Sequence, residues 1–427
     1  MRVVSYKDAR KFEGAVRKLE QRAAAPDPDA ARVAHKILNA VQKDGDAAVC
    51  RYASKFGEVA AGQKGFRVTR ESMQGALDRV SPQFRNAVQF AADNIRRFAE
   101  WQMPQAFLRE IVPGVRVGQT IKPIASVGCY VPGGRYPLPS TMLMTVIPAQ
   151  VAGVPRIAVV SPKPRAETLA TAAILGVDEF YAIGGAHAVG ALAYGTESVA
   201  CVLKIVGPGN SFVTAAKQIA AAEGACAIDM LAGPTEALIA VDDGDAAMLA
   251  SDLVSQAEHD PETSCVFVTS NAKLAKAVET ELAQQSKQNK IASGSLKRNG
   301  IILISGSPQH TLDVASRIAS EHTTVQSMDT AQQLHSAGSI FVGDYSAQAF
   351  GDYVSGPNHT LPTGALARVR GGLSVLDYVK IVTVQELTRQ GASALAPHAV
   401  NLARAEGLVG HAASISARVH ERGAANA

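Results

Sequence analysis

The sequence predicts an α/β protein: two Rossmann-like parallel-sheet domains that lack the usual glycine fingerprint, followed by a helical C-terminal arm. Three observations carry this. From residue 121 onward, short apolar runs alternate with longer helical stretches, and strand–helix–strand alternation is the mark of a parallel sheet. Eight such runs lie between residues 125 and 342, enough for two sheets. Near the C-terminus, Leu408, Ala412, Ile415 and Val419 form an apolar helical stripe, so that segment docks on something.

Taken in order, residues 1 to 110 read as mostly helical. Val33, Ile37, Leu38 and Val41 recur at helical spacing, with Pro26-Asp-Pro-Asp ahead of them as a start signal. The pattern becomes extended across 112–118. Strands are then expected at 125–131, 156–161, 179–183, 202–206, 237–241, 265–269, 301–305 and 339–342, and helices at 166–175, 212–222, 246–259 and 272–285. Neither G-x-G-x-x-G nor G-x-x-x-x-G-K-[ST] occurs.

Composition narrows the class. With 47% hydrophobic and 19% charged residues, the 427-residue chain is neither disordered nor collagen-like. Aromatics are 5%, with a single Trp101, and the net charge of +4 is scattered, so no nucleic-acid partner and no anionic membrane is expected. The most apolar stretch, 138–160, is interrupted by Pro139, Pro148 and Pro155. Five dispersed cysteines without a C-x-x-C pair, and an N-terminus without an apolar signal core, point to a reducing compartment and a cytoplasmic protein.

Candidate chemistry gathers in a few segments. Four Gly-rich corners, at 129–134, 183–187, 206–210 and 232–236, mostly follow expected strands and leave backbone amides open to an anionic ligand. In open α/β sheets such ligands lie at the carboxyl ends of strands. Gln256 and His259, three apart, share one face if both are helical, and could form half of a metal site. Adjacent Glu321 and His322 would face opposite sides of a strand and so need a turn to serve one site. Asp352 precedes a Gly-Pro turn, and a buried carboxylate there needs a partner, which a cation would supply. His359 could brace that turn. His411 lies at the edge of the C-terminal apolar stripe. Each of these also has a plain structural reading as a turn, a cap or a surface side chain.

Together and in this order, Y-V-P-G-G, G-P-G-N-x-F-V-T-x-A-K, I-D-x-x-A-G-P, S-Q-A-E-H-D, G-D-Y-x-x-G-P-N-H-x-L-P-T and the terminal E-G-L-x-x-H resemble the histidinol dehydrogenase family, from about residue 30 to 420. The resemblance implies one catalytic Zn²⁺ per subunit held by Gln256, His259, Asp352 and His411. It implies catalysis by His322 as general base and Glu321 as water activator. Substrate contacts would come from Thr235, Gln256, His259, His322, Asp352, Glu406 and His411. NAD contacts would come from Tyr130, His187 and Asn210. It also implies oxidation of L-histidinol to L-histidine through histidinal, with two NAD⁺ reduced, in a homodimer with shared active sites. The domains implied are 1–125 with 234–380, an inserted NAD-contacting domain at 126–233, and the arm at 381–427.

This chain departs from the family pattern at four places. His187 replaces the usual Gln, Thr235 the usual Ser, Glu321-His-Thr-Thr the usual E-H-L-E, and Arg135-Tyr136 a small residue. These departures are similar to those of relatives that oxidise sulfonated diols, so another small polar alcohol such as 2,3-dihydroxypropane-1-sulfonate is the alternative substrate. Remoter alternatives are a metal-dependent hydrolase and a non-catalytic binding protein. Nothing in the sequence activates Cys129 as a nucleophile.

Overall fold

Two parallel sheets form because their central strands are apolar on both faces. The runs V-G-C-Y and E-A-L-I-A are buried at every position, as strands covered by helices on both sides must be. The computed structural model describes residues 1–22, 27–60, 65–133, 137–231 and 233–419. Among these, the strands make three sheets in two compact units.

The first unit comprises Met1–Gln102 and Ala125–Tyr378. It contains both parallel sheets. The first sheet has the order β6-β5-β4-β7-β8. Its strands are β4 (Val127–Tyr130), β5 (Ile157–Val160), β6 (Glu179–Tyr181), β7 (Lys204–Val206) and β8 (Ala227–Ile228). Helices Pro28–Lys55, Gly185–Tyr194 and Ser211–Ala222 pack together on it. The second sheet has the order β1-β11-β10-β9-β12-β13. Its strands are β1 (Arg2–Ser5), β9 (Glu236–Ala240), β10 (Ser264–Thr269), β11 (Ile301–Ile304), β12 (His322–Val325) and β13 (Ser339–Val342).

Alternate residues of the second sheet feed two cores. Ala237, Ile239, Cys265 and Phe267 pack with helices Ala246–Ala257 and Ala272–Gln285. Leu238, Ala240, Val266 and Val268 pack with Phe12, Val16, Leu312 and Ala315. This is the two-residue period of a strand, with a core on each face. Each large apolar side chain so buried contributes roughly 1.5–3 kcal/mol.

The second unit comprises Met103–Ile124 and Val379–Ala427. Its sheet is antiparallel: β2 (Phe107–Val112) pairs with β3 (Val115–Pro123), which pairs with β14 (Val379–Leu387). Helices Arg389–Ala405 and Val409–Val419 follow β14.

Several expectations are corrected here. Residues 103–124, expected with the first domain, fall in the second unit, where Val115–Pro123 pair with Val379–Leu387, and the arm expected to be helical from 381 starts as a strand. The backbone ladder between β3 and β14 runs nine residues, from Val379↔Pro123 to Leu387↔Val115, and local spacing carries no sign of it. The N-terminus, expected to be helical, begins with edge strand β1, which is too short for its alternation to register. Strand β12 was not expected because His322, Thr323 and Thr324 interrupt the apolar run, yet all four of its residues are buried. The helix expected over 246–259 stops at Ala257. In helix Pro28–Lys55, Asp27 caps the start and Pro28 is the first residue. Pro26, Gly134, Arg135, Tyr136 and Ala232 lie outside the described residues. No helix among the described residues is long and apolar enough to cross a membrane.

Candidate active site

Two adjacent parallel strands present their amino ends to one place. Strand β12 pairs with β9 in the register His322↔Ala237, so His322 stands beside Glu236 and Thr235. Helix Ala246–Ala257 runs back from the carboxyl end of β9 and returns Gln256, in its last turn, to the same edge. Helix Gln348–Tyr353 supplies Asp352. The expectation that the ligand groups lie at carboxyl ends is therefore reversed for this sheet. Glu321 and His322 converge because Glu321 sits on a bend, as expected of a turn, directly before the strand that His322 opens.

The side chains form one buried network. Gln256 Nε2 donates to Asp352 Oδ2 at 3.0 Å, and His322 Nε2 lies 3.3 Å from Asp352 Oδ1. Glu321 Oε2 accepts the Glu236 backbone N–H at 3.0 Å and lies 3.7 Å from His322 Nδ1. Behind Asp352, His359 Nδ1 lies 2.8 Å from the Asp352 carbonyl oxygen and its Nε2 lies 3.2 Å from Thr141 Oγ1. His359 thus locks the turn that presents Asp352.

Burial and charge act against each other here. Burial pushes the Glu321 carboxyl up to about 8. Burial alone would lower His322, but the Glu321 and Asp352 carboxylates outweigh it and raise the imidazole. Burial alone would raise Asp352, but its hydrogen bond to His322 and the nearby His359 and His259 hold it below the usual carboxylate range. Burial lowers His359.

The expected ligand set is only partly gathered. Gln256 and Asp352 are in contact. His259 lies two residues beyond the helix end and is exposed, with its N–H on the Gln256 carbonyl at 3.2 Å, so the two do not share a helix face as expected. Glu406 and His411 belong to the second unit, where Glu406 caps helix Arg389–Ala405 and His411 lies on helix Val409–Val419; both are exposed. Among the described residues, no three His, Cys, Asp or Glu side chains gather as a metal cluster. The donor chemistry nevertheless suits a cation. The Gln256 amide oxygen is buried with no hydrogen-bond partner, while its amide nitrogen bonds the Asp352 carboxylate, on which His322, His359 and His259 act. Thr235, half-buried, lies in the loop entering β9.

The carboxyl edge of the first sheet holds the other three Gly-rich corners, after β4, β6 and β7. Asn210 caps helix Ser211–Ala222, its Oδ1 accepting from Phe212 and Val213 N–H at 3.1 Å each. Tyr130 is buried and its hydroxyl accepts the Gly185 N–H at 2.9 Å. His187 is wholly buried. Its Nε2 lies 2.8 Å from Glu58 Oε2, and its ring stacks near Phe56 and Tyr52. The same Glu58 oxygen accepts the Gly184 N–H at 3.1 Å. His187 therefore braces the corner rather than presenting its ring at the surface. Gly207 adopts φ +107, and a Cβ there would meet the Tyr130 carbonyl oxygen at 2.2 Å, so only glycine fits. Cys129 is buried and its thiol is pushed up to about 12 by that burial, which keeps it neutral.

Sequence reasoning missed Glu58, Arg22, Glu236 and the buried pair Lys217–Asp229. Lys217 and Asp229 stand inside two of the family motifs, G-P-G-N-x-F-V-T-x-A-K and I-D-x-x-A-G-P, whose pattern carries no sign that the two pair. The other contacts join residues more than 100 positions apart, and no local spacing could reveal them.

A family model described as histidinol dehydrogenase matches residues 20–419. The histidinol dehydrogenase of Methanosarcina barkeri is 42% identical over 405 residues, covering 91% of this chain and 92% of the relative. That of Aquifex aeolicus is 41% identical over 393 residues, covering 90% and 92%. The crystal structure of histidinol dehydrogenase from Elizabethkingia anophelis superposes with a TM-score of 0.91 at 32% identity, covering 98% of each chain. With its two parallel sheets and a match that runs nearly end to end, this chain belongs to the histidinol dehydrogenase family.

Proposed function

We propose that this protein oxidises L-histidinol to L-histidine through histidinal, reducing two NAD⁺ in successive steps at one site. The observation that carries the reading is the buried Gln256–Asp352–His322–Glu321 network in a chain whose family match spans residues 20–419. Gln256, His259 and Asp352 would hold one zinc ion, with His411 completing the set from a second copy of the chain. The unpartnered Gln256 oxygen supports this. Zinc would supply a Lewis acid that anchors the substrate's nitrogen donors.

The chain's own residues do the proton work. In the first step His322 takes the alcohol proton as hydride leaves the carbinol carbon for NAD⁺. In the second, Glu321 takes a proton from water as it adds to the aldehyde. His322 then takes the hydrate's hydroxyl proton as the second hydride leaves. Each oxidation removes two electrons, and the added water provides the second carboxylate oxygen. Asp352 orients His322 through the 3.3 Å contact. Thr235, Glu406 and His411 line the substrate, with Glu406 and His411 from the partner copy in a homodimer. Asn210 and the amides of the first-sheet corners receive NAD, while Tyr130 and His187 hold those corners in shape. The five free cysteines and the use of NAD favour a cytoplasmic setting.

The test is NADH formation with L-histidinol beside 2,3-dihydroxypropane-1-sulfonate, each with and without chelator. Chelator-sensitive turnover of histidinol with a stoichiometry of two NADH is expected. Turnover of the sulfonate alone would overturn the substrate, and undiminished turnover in metal-free protein would overturn the metal.

A further inference from the structure

Glu321 owes its position to a residue at the other end of the chain. Its Oε2 accepts the Glu236 backbone N–H at 3.0 Å. The Glu236 side chain, 6% exposed, is forked to Arg22: Nε to Oε1 and Nη2 to Oε2, both at 2.6 Å. Gly364 N–H donates to the same Oε1 at 2.9 Å. Arg22 Nη1 also donates to the Ile318 carbonyl at 3.0 Å, and Nη2 reaches the Ala319 carbonyl at 3.4 Å. Ala319 is left-handed, φ +53, and ends helix Pro308–Ile318 two residues before Glu321. One guanidinium thus grips both main-chain segments that locate Glu321: the start of β9, which donates to its carboxylate, and the turn that delivers its backbone. It also supplies the positive charge beside Glu236, which would otherwise be a buried carboxylate without a cation next to Glu321.

We propose that Arg22 is a positioning residue for the aldehyde-oxidising half of the reaction, holding the Glu321 carboxylate in place through Glu236 and the Ile318-Ala319 turn. The inference rests on the reading of Glu321 as the water activator. The role requires a planar fork that reaches two oxygens and two carbonyls at once, which a lysine cannot reproduce. The other side of Arg22 faces an open cavity of about 660 Å³, lined also by Arg17, Glu20, Gln21, Gly364 and Arg368. A truncated side chain there leaves a hole that a small cation can enter from solvent.

The experiment compares oxidation of histidinol to histidinal with oxidation of added histidinal, in the full-length holoenzyme. Arg22→Ala is expected to lower the aldehyde step by about 10–100-fold, the usual cost of losing an outer-shell partner, and the alcohol step far less. Guanidinium at a sub-denaturing concentration is expected to restore part of the aldehyde rate to Arg22→Ala and none to Arg22→Lys. Arg17→Ala, which lines the same cavity on an exposed side chain, leaves both rates unchanged. Equal losses on both steps, or no loss, overturn the proposal. If Arg22→Ala does not fold, the same ratio in Arg22→Lys decides. Glu321→Gln separates the two ideas. An aldehyde-selective loss there without one at Arg22 refutes the positioning role alone. No selective loss at Glu321 removes the water-activation reading and this proposal with it.

Discussion

Lys217→Met removes the cation paired with the Asp229 carboxylate while keeping the reach of the side chain. The pair is 3% and 0% exposed. Lys217 Nζ donates to Asp229 Oδ1 and to the Gly207 carbonyl, the latter at 2.8 Å. Asp229 Oδ2 accepts the Gly207 N–H and Oδ1 the Met230 N–H, each at 2.7 Å. Removing one partner of a buried ion pair costs about 3–5 kcal/mol, because the remaining charge stays buried without compensation. Two amide donors still serve Asp229 after the change, so the loss should fall at the lower end, about 3 kcal/mol. Adding Asp229→Asn removes the stranded charge while keeping an acceptor for Gly207, and the double variant should recover about 1–3 kcal/mol of that loss. Guanidinium unfolding followed by circular dichroism reads both quantities. Because Gly207 belongs to the corner assigned to NAD, the KM for NAD⁺ should rise more than kcat falls. A loss under about 1 kcal/mol in Lys217→Met, or a double variant no more stable than the single, would refute the claim that this pair stabilises the corner by charge compensation.

Three further outcomes are expected. Glu321→Gln should impair histidinal oxidation more than histidinol oxidation, whereas His322→Asn should impair both by roughly 10²–10⁴-fold; steady-state rates on each substrate check this. Co-refolding equal amounts of inactive His322→Asn and inactive His411→Asn should restore about a quarter of wild-type activity if His411 acts across a two-fold dimer, and nothing if it acts in its own chain. Burial raises Asp252 from 3.8 to about 6. A raised carboxyl holds its proton more tightly when folded, so the stability it contributes below its unfolded value is lost as pH climbs through its folded one. Asp252→Asn should therefore match the parent near pH 4 and exceed it above pH 6, by about 1 kcal/mol after allowance for partial exposure; unfolding at both pH values measures it.

Much of this protein is written in local pattern. Runs such as Ala237 to Ala240 and Cys265 to Val268 are apolar at every position, and a strand covered on both faces uses such a run. The alternation of those runs with helices selects parallel sheets, and the ordered motifs from Tyr130 to His411 mark the family. These features are legible because each is a property of neighbouring residues. The amino-end placement of the site depends on the register His322↔Ala237 between strands more than 80 residues apart. The burial of His187 depends on Glu58, 129 residues away. Residues 115–123 are tied to the second unit by a nine-residue ladder with β14. Arg22 reaches Glu236 across 214 residues. Sequence spacing encodes which face of an element a side chain occupies, but not which distant element that face meets. That meeting is decided by the packing of the whole chain, and here it decides which carboxylates are paired, which are raised, and which residue holds Glu321.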